Sequence, residues 1–157
     1  MNFNTILNQI HTVLEPLKTA GTIHRLEKSH RLFIKEETKE GYKQKKNVVG
    51  KLDCPAVDLR SGEGKVIKHY EGSFESRKMV LVNVIFYDLE DNVDIEEEMN
   101  SVCMNIVDAI MADPTLNCTA IDIKYEGEIT SEGYFHPWEI YNIYFSVLWE
   151  RDYGEAI

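Results

Sequence analysis

The sequence predicts an α+β fold: a single mixed, mostly antiparallel β-sheet with two α-helices packed mainly on one face. Three observations predict it. Residues 3–17 and 94–112 repeat apolar side chains at steps of three and four, the spacing of one helical face. Residues 78–88 (KMVLVNVIFYD) are apolar on nearly every position, as in a central strand covered on one side and shielded on the other. The chain then closes on two further strand-like runs, 120–126 and 139–151. The order helix, irregular stretch, strands, helix, strand, strand places both helices against one sheet.

The first helix has its stripe in Phe3, Ile6, Leu7, Ile10, Val13, Leu14 and Leu17. Asn2 or Asn4 is the expected N-cap. Pro16 has no N–H to give the Thr12 carbonyl, so the helix is expected to end or kink there, with Gly21 marking the stop. Residues 23–26 and 32–34 read as short strands, and a sheet begins near Val48. The run KEETKEGYKQKK is charged and carries one Gly, which predicts a mobile exposed loop at 35–47. Residues 55–60 read as a short strand opening on Pro, where the missing N–H does least harm. Residues 61–64 (SGEG) read as a turn, 66–70 as another short strand and 72–77 as a further break.

Asp94 is the expected cap of the second helix, with Glu97 reaching back as in a capping box. Glu96, Glu97 and Glu98 suit the positive end of the helix dipole. Ile95, Met99, Val102, Cys103, Ile106, Val107 and Ile110 form the buried stripe, and Pro114 ends the segment. Ile121, Ile123 and Tyr125 alternate with Asp122, Lys124 and Glu126, so this strand has one wet face. On the last strand Tyr141, Ile143, Phe145, Val147 and Trp149 share a face.

The 157 residues suit one domain, expected to span 1–157, with a real core. Hydrophobic residues make up 43% and charged residues 28%, a globular composition, and no run nears the ~20 apolar residues a membrane helix needs. The start of the chain lacks a signal-peptide pattern. Three cysteines without close spacing suit reduced thiols of a cytosolic protein. A net charge of −10 argues against tight binding to nucleic-acid phosphates.

No residue constellation demands catalysis. GxSxG, P-loop and GxGxxG motifs are missing from the sequence, and Cys103 falls on a core stripe. His24 and His30 flank Glu27 as a loose metal-like grouping, and residues 88–98 form a dense acidic run. That run has Val93 where a calcium loop wants its glycine, and an acidic helix start explains it without metal. No catalytic residue, cofactor or metal is therefore expected. The expected partner contacts are Lys43, Lys45 and Lys46 in the charged loop, and Tyr134, His136 and Trp138 before the last strand. Exposure and length mark both segments, and an aromatic in a loop suits an interface anchor. A Trp folded over the sheet end is the equal alternative for Trp138.

The arrangement resembles the tail terminator, or tail completion, proteins of long-tailed bacteriophages and prophages. The likeness runs from about Val48 to Asp152. It rests on Pro55-Ala56-Val57, the apolar strand 78–88, the helix with an acidic start, the segment 110–116 (IMADPTL) and the ending Trp149-Glu150-Arg151-Asp152. The resemblance implies a non-enzymatic structural protein of the virion tail or neck, present in the host cytoplasm during assembly. It implies a homo-oligomeric, hexameric ring that is monomeric before assembly. The ring would cap the tail tube, end its polymerisation and meet the head–tail connector protein. Tail-tube protein, connector protein and further copies of the chain are the implied partners, with DNA only passing through the lumen and no membrane. Two other readings stand beside it: another neck, tail-tube or baseplate component of the same virion, and a small cytosolic metal-dependent enzyme or regulator using residues 88–98 or His24, Glu27 and His30.

Overall fold

A computed structural model describes residues 2–28, 31–34, 48–88, 94–133 and 135–153. The fold is α+β, with two helices and a mixed five-stranded sheet. Helix α1 (Phe3–Thr19) is capped by Asn2, whose side-chain oxygen accepts from the Asn4 N–H at 2.8 Å. The helix does not stop at Pro16 but runs on to Thr19. In the last turn the missing Pro N–H costs only one intrahelical bond, so the chain continues to Gly21. There a φ of 82° closes the helix: Gly21 N–H donates to Lys18 O at 3.1 Å and Thr22 N–H to Leu17 O at 2.9 Å.

Strands β1 (Arg25–Glu27), β2 (Phe33–Ile34) and β3 (Val48–Val49) are short, and a 3-10 turn (Lys51–Asp53) follows β3. β4 (Ala56–Tyr70) and β5 (Ser73–Tyr87) are each 15 residues long. The expected turn at 61–64 and break at 72–77 are therefore corrected: the chain stays in one long hairpin, and its turn is at Glu71-Gly72. The glycines read as turn signals serve as strand irregularities, with register shifts between Ser61 and Gly64 and between Val66 and Lys68. Gly62 is needed for close approach, since a Cβ there would sit 2.8 Å from Leu81 Cδ1 and 3.1 Å from Met79 Cβ.

Helix α2 (Ile95–Met111) has the acidic first turn, but the Asp94 side chain makes no capping hydrogen bond. Asp94 has a ψ of 10°, away from the extended backbone that aims a capping side chain at the helix, so the expected capping box is corrected. β6 (Asp122–Thr130) begins and ends later than its sequence pattern suggested, leaving Ile121 exposed ahead of it. β7 (Trp138–Asp152) is the long final strand.

The sheet order is β1-β4-β5-β7-β6, with β1 parallel to β4 and every other pair antiparallel. Both helices pack on one face. There Ile6, Ile10 and Leu14 of α1 and Ile106 and Ile110 of α2 meet Val80, Val82 and Val84 of β5 and Ile143, Phe145 and Val147 of β7. Each such side chain stabilises the fold by roughly 1.5–3 kcal/mol through burial. The other face is covered at one end by β2 and β3, a two-stranded parallel piece carrying Ile34 and Val49, with Leu32 beside it. These pack on Ala56, Ile85 and Trp138.

Candidate interaction surfaces

Lys43, Lys45, Lys46 and Tyr134 lie outside the described residues, as do His30 and residues 89–93 of the acidic run. His136 sits in the connection between β6 and β7, and Trp138 opens β7. Glu139 organises the connection: its carboxylate accepts from the Ser131 hydroxyl at 3.0 Å and the Gly133 N–H at 3.3 Å. The backbone takes positive φ at Glu132 and Gly133 and passes a cis His136–Pro137 bond. The Trp138 N–H then donates to Phe135 O at 2.8 Å.

Trp138 is 6% exposed, so its expectation as an interface anchor is corrected. Its ring meets Tyr87 edge-on at 4.7 Å between centroids and packs with Ile85, Ile34 and Val49. The alternative reading, a Trp folded over the sheet end, is the one realised, because the aromatic payload is better buried than wet. His136 is exposed, and its neighbour Phe135 is 45% exposed. Phe135 is the residue sequence reasoning passed over. Its signal was an aromatic two residues from a glycine turn.

A buried polar cluster was also passed over. Asp58 is fully buried on the sheet face away from the helices. Its carboxylate accepts from the Leu32 N–H at 2.6 Å and from the Arg60 guanidinium at 2.9 Å, and Arg60 also donates to Leu32 O at 3.1 Å. Burial pushes the Asp58 carboxyl above the usual value, against the opposing pull of Arg60, the Leu32 N–H and Asn83. The cluster ties the segment before β2 to the centre of the sheet. Its acid and base are committed to each other, a structural role.

His24 is exposed, and Glu27 pairs with Arg25 at 3.3 Å. Among the described residues no group of three His, Cys, Asp or Glu is arranged to hold a metal ion. Burial first, and the nearby carboxylates of Asp53 and Glu128 second, push the Cys54 and Cys103 thiols up to about 12. Such thiols stay protonated and unreactive near neutral pH. Two shallow cavities lie beside α1. One, of about 400 Å³, is flanked by the one-turn pair His11–Glu15 at 3.2 Å. The other, of about 310 Å³, lies at the helix N-terminus, where the Lys78 ammonium sits 4.8 Å from the Phe3 ring.

The widest open features are the sheet edges. β1 covers β4 only at residues 56–58, so among the described residues the rest of β4 has no strand on its outer side. Residues 63–70 are exposed along their whole length. At the opposite end, β6 is unpaired on its outer side among the described residues and exposes Tyr125, Glu126, Glu128 and Ile129. No helix among the described residues is long and apolar enough to cross a membrane. No protein-family model matches the chain, and no curated protein matches it.

Proposed function

We propose that the chain is a non-enzymatic assembly protein of a long-tailed phage or prophage. In this reading it forms a ring that caps the tail tube, ends its polymerisation and joins it to the head-side connector. The observation that carries the reading is the element order: an amphipathic helix, a Pro-Ala-Val strand start, a long apolar strand, a helix with an acidic first turn, then two strands ending in Trp149-Glu150-Arg151-Asp152. This is the arrangement by which the sequence resembles tail terminators. Among the described residues β6 and most of β4 have no strand on their outer sides, which is favourable to contacts with neighbours. The net charge of −10 suits a ring through which DNA slides without phosphate contacts.

Native mass measurement of the protein alone, with tail-tube protein and with connector protein tests the reading. The expected result is a closed oligomer in the presence of tube or connector. A strict monomer that associates with neither overturns it.

A further inference from the structure

We propose that the cavity at the start of α1 binds a small free oxyanion of the phosphate class, received by the indole N–H of Trp149 and the ammonium of Lys78. The inference goes beyond the assembly reading and does not rest on it.

The sheet builds the floor of the site. Ser61 of β4 pairs with Val80, two residues along β5 from Lys78. Lys78 pairs with Val147, two residues along β7 from Trp149. Side chains two apart on a strand share a face, so Ser61, Lys78 and Trp149 form a diagonal row on the face that carries the helices. The start of α1 lies against this row. The Phe3 ring meets the Trp149 ring at 5.3 Å between centroids, and the Lys78 ammonium sits 4.8 Å from the same Phe3 ring. The cavity of about 310 Å³ opens at this junction, with Ser61, Lys78, Trp149 and Arg151 in its lining.

Two observations point to an anion. The first is Trp149, which is 7% exposed and whose Nε1–H is, among the described residues, the one buried side-chain donor with no hydrogen-bond partner. A buried donor without an acceptor is a standing cost to the fold, and on a residue that walls a cavity it points to an acceptor from outside the chain. The second is the charge of the lining. Its charged side chains, Lys78 and Arg151, are both basic, and among the described residues no carboxylate lines it, in a chain of net charge −10. The positive end of the 17-residue helix α1 adds to that potential. Asn2 already accepts from the Asn4 N–H at 2.8 Å and the Thr5 N–H at 2.9 Å. The helix therefore contributes its field, and the side chains contribute the hydrogen bonds. An ion with several oxygens serves such donors together, where a halide offers a single acceptor centre.

The test follows the Trp149 N–H itself. Proton–nitrogen correlation spectra of the labelled full chain are recorded during titration with inorganic phosphate and, separately, with sodium chloride at matched ionic strength. Through-space contacts with the Phe3 ring distinguish the Trp149 indole resonance from that of Trp138. Phosphate should move the Trp149 resonance along a saturable curve and leave that of Trp138 in place, and chloride should move neither. Lys78→Met keeps the length of the side chain without its charge and should weaken phosphate binding about tenfold or more, while Lys78→Arg should retain most of it. The dispersion of each variant's spectrum checks its folding. No saturable movement of the Trp149 resonance, or equal movement with chloride, overturns the proposal. So does binding that survives Lys78→Met undiminished. A short DNA oligonucleotide separates a free ion from a nucleic-acid backbone as the source of phosphate: movement with the oligonucleotide and none with inorganic phosphate also overturns it.

Discussion

Replacing Asp58 with Ala should destabilise the fold by about 2–4 kcal/mol. The carboxylate is fully buried and accepts from a backbone N–H and a guanidinium at 2.6 and 2.9 Å. Its removal strands the Leu32 N–H, and an unsatisfied buried donor costs about 1–3 kcal/mol. Breaking a wholly buried ion pair costs about 3–5 kcal/mol. The Arg60 side chain is 24% exposed and keeps the Leu32 carbonyl at 3.1 Å, so part of its charge is rehydrated and the sum settles lower. Asp58→Asn retains an acceptor for Leu32 and should cost less, about 1–2 kcal/mol. In the double variant with Arg60→Ala, the two losses should fall short of additive by about 1 kcal/mol, since one interaction is counted in both. Urea unfolding followed by tryptophan fluorescence reads all four states of the cycle. A cost for Asp58→Ala below about 0.5 kcal/mol, the scale of an ordinary surface change, or strict additivity with Arg60, refutes the assigned role.

Two further outcomes follow from the same chemistry. The raised Asp58 carboxyl binds its proton more tightly in the native than in the unfolded state. Its contribution is thus fully present below the ordinary carboxyl value and declines as pH rises through the raised one. Unfolding free energies across the acid range should show this slope, and Asp58→Asn should lack it; identical slopes contradict the assignment. Separately, alkylation of the folded protein at mildly alkaline pH should modify Cys118, which is exposed, well before Cys54 and Cys103, held near 12. Mass spectrometry should find one fast thiol, with the other two released by urea, and a second fast thiol would contradict the burial.

Periodicity made the two helices and the apolar face of β7 legible, because burying a stripe leaves a mark every three or four residues, or every two. Ile6, Ile10 and Leu14, and Tyr141 through Trp149, all lie where that spacing placed them. The hairpin was misread for a local reason. Ser61-Gly62-Glu63-Gly64 has turn composition, and only the cross-strand partner shows that Gly62 makes room for Met79 and Leu81. Trp138 was undecided for a related reason: a Trp beside a proline in a connection looks alike whether it anchors a partner or seals a sheet end. Tyr87, 51 positions earlier, decides it.

The sequence by itself determined the fold class, the buried faces and the acidic surface, since these depend on composition and short-range repeat. Only the tertiary structure decided which polar residues are spent on holding the fold and which edges are left open. Asp58 looks like any strand aspartate until Arg60 and the Leu32 N–H close around it. Pairings between distant segments carry no local periodicity, and one of them, the Leu32 N–H on Asp58, closes this protein's buried polar cluster.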